Sequence, residues 1–260
     1  MRTMPLDMII SAGTEYTVDK PYCLVIRRIG TDISGGTTIK IDGKEAGTYD
    51  STVAPLRQTT SGSLGPLDLK NLFYVVPPER KYEFSGSGNV RLIGDLIILE
   101  PGETVPADIL ARYRDQHLHY FDLISDSYSF GGATSWAANS EVEVYSKQLE
   151  SFEKLIFNRL AIMSQSGITY STGDIGVLIL IDDVPLYNRD SNTGQVGIDF
   201  DAFVIATDRL EHFSFEKAPL EILPDHKITI KAKNVSGGAL TLSSASITFK
   251  AVAEYLKYKV

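Results

Sequence analysis

Four histidines, one cysteine and several carboxylate pairs are the groups in this chain that could carry chemistry. His117-Leu118-His119 would set two imidazoles on one face of a strand, a spacing that can seed a metal site. Only Asp115 and Asp122 lie close enough to add a ligand, and neither has a matched spacing, so a surface pair is expected. In the stretch 190–201, Asp190, Asn192 and Asp201 occupy the first, third and twelfth places of a calcium loop. Gly194 falls at the fifth place where the sixth is needed, and Asp201 replaces the bidentate glutamate. A long hairpin loop with Ser-Asn-Thr-Gly turn chemistry is therefore preferred over calcium. Asp182-Asp183, Asp199 with Asp201, and Glu141 with Glu143 could in principle flank a glycosidic bond. An acidic chain produces such pairs freely.

Other chemistries find less support. The chain has no Gly-x-Ser-x-Gly elbow, His-Glu-x-x-His pair or Walker-type loop. Ser85-Gly86-Ser87-Gly88-Asn89 joins two predicted strands, so it reads as a hairpin turn instead of a phosphate cradle. Cys23 lies inside the apolar run 22–26 and reads as a small buried hydrophobe; a lone cysteine forms no internal disulfide. Trp136 could offer a sugar platform, but packing at the junction between the two halves is the favoured reading. Asn234-Val235-Ser236 is a glycosylation sequon that reads as a turn. No catalytic residue, cofactor or metal is expected from these motifs, and the chain is not expected to be an enzyme.

Composition narrows the partners. Thirty-three acidic against 25 basic residues leave a formal charge of −8, which argues against nucleic acid, where affinity comes largely from neutralising phosphates. Asp7 interrupts any signal-like segment, and the apolar run 175–181 is too short to cross a bilayer, so neither secretion nor membrane insertion is expected.

The elements that must position these groups are strands. Val, Ile, Thr, Tyr and Phe alternate with polar residues in short runs, and Gly, Pro, Ser, Asn and Asp punctuate them. The runs recur. Ile39-Lys40-Ile41-Asp42-Gly43 answers to 178–183, 15–18 to 141–144, 24–29 to 155–160, 76–84 to 222–230, and Ser85-Gly86 to Ser236-Gly237. The separation drifts from 126 at residue 15 to 140 at 42, 146 at 78 and 151 at 86, as loop insertions in a second copy would produce. This predicts an all-β chain of two tandem β-sandwich, jelly-roll-like domains, 1–104 and 136–260, the second a duplication of the first. The segment 105–135 reads as a linker with a short helix starting after Pro106. Residues 141–163 fit either an amphipathic helix or two strands broken near Lys147-Gln148; the duplication favours strands.

At the level of architecture the pattern resembles virion structural proteins: capsid, turret, collar, tail or spike subunits with jelly-roll-like domains. No diagnostic motif carries the resemblance, which spans the chain as a pattern of strands. It implies a non-enzymatic protein that folds in a host cytoplasm, resides in the particle, self-associates and contacts other virion proteins. A module binding carbohydrate or a host surface receptor through loops is the alternative.

Overall fold

The computed structural model describes residues 1–58, 64–186, 197–204 and 214–258. Among them the fold is all-β: four antiparallel sheets, one α-helix and two short 3-10 turns. No helix there is long and apolar enough to cross a membrane. The chain divides into two compact units, one of residues 1–123 with 254–257, the other of 124–253 with 258–260.

In the first unit the strands are β1 (Arg2–Ser11), β2 (Glu15–Thr17), β3 (Tyr22–Thr31), β4 (Thr37–Ile41), β5 (Lys44–Tyr49), β6 (Leu67–Asp68), β7 (Tyr74–Val76), β8 (Lys81–Phe84) and β9 (Asn89–Ile98), followed by helix α1 (Ala107–Asp115). One sheet runs β1-β9-β3, with β6 and β7 both against β3; the other runs β2-β8-β4-β5. Strand β3 is apolar on both faces because both are covered. Cys23 and Val25 pack with Val75 and Ile97 against Ile109 of α1. Leu24 and Ile26, pointing the other way, are buried as well. Met8, Leu24 and Leu96 of the first sheet line one cavity with Thr17 and Tyr82 of the second, so the inner faces of the two sheets meet there.

The second unit continues with β10 (His119–Ser129), β11 (Ser135–Trp136), β12 (Glu141–Gln148), β13 (Glu153–Phe157), β14 (Ala161–Thr169), β15 (Ile175–Ile181), β16 (Val184–Pro185), β17 (Ile198–Asp199), β18 (Leu220–Ile222), β19 (Lys227–Asn234) and β20 (Leu240–Lys257). Its sheets run β10-β20-β13-β18, with β11 and β14 also on β20, and β12-β19-β15-β16, with β17 on β15. Phe249 of β20 lies 6.5 Å from the ring of Phe157 and 6.0 Å from that of Tyr145, a contact that joins residues of both sheets in the core.

The stretch read as a linker, 105–135, holds α1 and then the eleven-residue strand β10, so the division between the units falls inside a strand. The far end of β20 counts with the first unit. There Glu254 pairs with His119, Tyr255 stacks 5.7 Å from Tyr120, and the Lys257 amide donates to the Leu118 carbonyl at 2.7 Å. Residues 141–163 form β12, β13 and the start of β14, with Val142 and Val144 alternating inward. The Leu149 amide donates to the His226 carbonyl at 3.0 Å, and the chain turns between Glu150 and Glu153 where an amphipathic helix would have continued.

One ladder is built twice. The order β2-β8-β4-β5 recurs as β12-β19-β15-β16, and the hydrogen bonds at its turn end repeat in kind. Asp42 takes φ of 49°, its amide donates to the Lys81 carbonyl at 2.9 Å, and its carboxylate accepts the Lys81 amide at 3.1 Å. Asp182 takes the same φ of 49° and makes both bonds with Lys227, each at 2.9 Å. The Val18 amide reaches Arg80 as the Leu149 amide reaches His226, both at 3.0 Å.

The opposite end of the ladder repeats too, at a different separation. Gly13 donates to the Phe84 carbonyl as Asn139 donates to that of Asn234, and Ser85 to Thr38 as Val235 to Asp174. Between the two ends the separation grows from 126 (13 to 139) to 131 (18 to 149), and from 136 (38 to 174) to 140 (42 to 182). In the third strand it falls from 150 (84 to 234) to 146 (81 to 227). Three neighbouring strands are thus each about four residues longer in the second unit. The fifth residue in β12 is accounted for by the bulge between Glu143 and Tyr145. This corrects the reading of the drift as loop insertion: part of it lies inside paired strands, which must lengthen together to stay in register.

Candidate functional site

A cleft of about 190 Å³ opens in the first unit between the β4–β5 turn and α1, lined by Ile41, Asp42, Lys44, Ala46, Tyr113, Arg114, Gln116 and His117. The turn is Asp42-Gly43, both at positive φ (49° and 75°), the geometry of a two-residue hairpin with type I′ character. It projects Lys44 at the start of β5. On the other side α1 is held by its own polar side chains. Gln116 accepts the Val75 amide at 2.8 Å and donates to the Val75 carbonyl at 3.0 Å, closing the free edge of β7 as a neighbouring strand would. Arg112 donates to the carbonyls of Phe73 at 2.8 Å and Leu72 at 3.0 Å.

The floor is fixed from behind. Tyr74 donates its hydroxyl to the Ala46 carbonyl and receives that of Tyr49, with both rings fully buried. Burial pushes both phenols above their ordinary range. Tyr113 forms part of the wall and donates its hydroxyl to Asp42; burial first, then this carboxylate, pushes it up to about 12. Asp42 therefore carries the Tyr113 hydroxyl, the Lys81 amide and the Arg80 guanidinium at 3.8 Å. Lys44 and Arg114 pair with no carboxylate among the described residues and remain available to an anion.

The motifs that could have carried chemistry are dispersed. His117 lies in the turn after α1 and lines the cleft, while His119 begins β10 and pairs with Glu254, so the two do not share a strand face. Among the described residues no three histidine, cysteine or acidic side chains gather as a metal site. Asp190 and Asn192 lie outside the described residues, as does His212. Asp201 accepts the Tyr170 hydroxyl at 3.0 Å, and its amide is capped by Asp199 at 2.9 Å. Asp182 binds His226 Nδ1 at 2.5 Å, and Glu141 faces Lys231 and Lys233, each at 3.4 Å.

Trp136 is buried in β11, its ring 5.2 Å from Phe130, and offers no exposed platform. Cys23 is fully buried, and burial pushes its thiol up to about 11. Ser85 to Asn89 is the β8–β9 connection, pinned where Asp32 accepts the Asn89 amide at 2.6 Å. Asn234 is fully buried and donates to the carbonyls of Trp136 at 2.9 Å and Gly238 at 2.8 Å. Sequence reasoning did not find the cleft, whose two walls lie about seventy residues apart and carry no shared motif.

No family model matches the chain, and no curated relative does. A conserved protein of unknown function from Pseudomonas aeruginosa PAO1 is 11% identical, with 99% of this chain and 84% of that one covered and a TM-score of 0.21. BuGH86 in complex with neoagarooctaose is 10% identical over 96% of this chain and 34% of that one, with a TM-score of 0.23. A chain of infectious bursal disease virus, Gt strain, is 13% identical over 100% of this chain and 77% of that one, with a TM-score of 0.21.

Proposed function

We propose that this chain is a non-enzymatic structural subunit of a virus particle, built from two β-sandwich units of jelly-roll type that arose by duplication. The observation that carries this reading is the twice-built ladder, whose polar side chains are spent on holding backbone. Asp42 and Asp182 lock their hairpins and Asn234 ties down a turn; outside the ladder, Gln116 closes the edge of β7 and Arg112 holds the turn that precedes it. Side chains used in this way favour rigid, repeatable surfaces over a reacting centre. Such a subunit would associate with copies of itself and with other virion proteins.

The test is the absolute mass of the purified protein by size-exclusion chromatography with light scattering. A closed oligomer of stoichiometric size is expected; a strict monomer at high concentration, even with the other particle components added, would refute the assembly reading. The second reading, a carbohydrate- or receptor-binding module, is favoured by the cleft with its two available cations. It predicts stabilisation that rises with ligand concentration.

A further inference from the structure

We infer that the cleft between the β4–β5 turn and α1 binds a small molecule with a carboxylate on a ring of monosaccharide size, such as a hexuronic acid. This goes beyond the assembly reading and gives the binding reading its ligand class; light scattering tests the first, ligand titration the second.

Charge is the first argument. In a chain of formal charge −8, Lys44 and Arg114 face one cavity unpaired among the described residues. The acid lining it, Asp42, is already offset by Arg80 at 3.8 Å, the Lys81 amide at 3.1 Å and the Tyr113 hydroxyl. The local field therefore favours an anion against the trend of the whole molecule. A guanidinium fork matches a planar carboxylate, with the ammonium adding a point charge.

Shape is the second. The floor is Ile41 and Ala46, and Tyr113 forms part of the wall, so three of the eight lining residues suit the apolar face of a ring. About 190 Å³ is smaller than the ~300–1,000 Å³ of drug-sized sites, which limits the occupant to about one ring. The walls are preformed, since Gln116 is fixed to Val75 and Tyr74 to Ala46, so little ordering opposes binding. Inorganic phosphate would satisfy the cations and leave the apolar floor uncovered.

The experiment titrates the isotope-labelled full chain with glucuronate, glucose and inorganic phosphate at constant ionic strength, following amide shifts. Saturable shifts at Lys44, Arg114 and His117 are expected with glucuronate, with glucose and phosphate each about tenfold weaker. Lys44→Gln and Arg114→Gln should each weaken glucuronate by about tenfold with unchanged melting temperature, because both side chains are exposed. Lys217→Gln, a charge-matched control in an exposed turn before β18 and outside the cleft, should leave affinity unchanged. Absence of saturable binding, phosphate binding as tightly as glucuronate, or an affinity that neither cleft variant lowers would each overturn the assignment.

Discussion

Gly47 holds φ of 126°, and a Cβ there would lie 2.4 Å from the Phe121 carbonyl oxygen and 2.7 Å from the Tyr74 hydroxyl. Backbone strain and overpacking act together, so Gly47→Ala should lose about 3 kcal/mol in denaturant unfolding. In the sequence this glycine is unremarkable, because the atoms that exclude a side chain come from residues 27 and 74 positions further on. Cys23 is the opposite case: its place inside an apolar run already marks it as buried. Its folded pKa stands at about 11 against an ordinary 9.0. The raised value means that its contribution to stability is complete below pH 9.0 and lost as pH rises toward 11. A thiol reagent at neutral pH should therefore label Cys23 at the rate of unfolding, and rapid labelling of the native protein would contradict its burial.

At the scale of elements, α1 is the clearest case of one element completing another. Gln116→Ala would leave both polar groups of Val75 without the partner that satisfies them at a buried position, at a cost of about 3 kcal/mol in chemical denaturation. The helix itself was legible from Pro106 and the spacing of Ile109, Leu110 and Tyr113, although Leu110 is exposed and only Ile109 of the three is buried. Its role was not, since Gln116 finds its partner 41 residues earlier. The Asp-initiated hairpins were legible because Asp at positive φ is turn chemistry. The lengthening of three strands was not, because an added pair of residues keeps a period-two pattern intact. At the second hairpin, the Lys227 amide first and His226 next pull the Asp182 carboxyl below its ordinary 3.8. A depressed value stabilises above pH 3.8 and is lost as pH falls through the folded-state value, so Asp182→Ala should flatten the acid limb of melting temperature against pH.

For the whole molecule, the sequence reading placed a boundary at residue 104, where Pro and Gly cluster. The strand pattern supported it, but the contacts that complete the first unit lie beyond it. A fragment of residues 1–104 lacks Ile109 over Cys23 and Val25, and Gln116 at Val75. It should fail to give a cooperative transition by circular dichroism, and a cooperative one would show that the helix is dispensable. Repeats are visible in sequence when local patterns recur. Membership of a unit is decided by pairing across long separations, and so it is not. The pairing of His119 with Glu254 and of Leu118 with Lys257 has a consequence in time. A ribosome delivers residues 254–257 after everything in between, so the unit begun first stays incomplete until almost the end of synthesis. Nascent chains must therefore hold its open position through the synthesis of some 130 intervening residues.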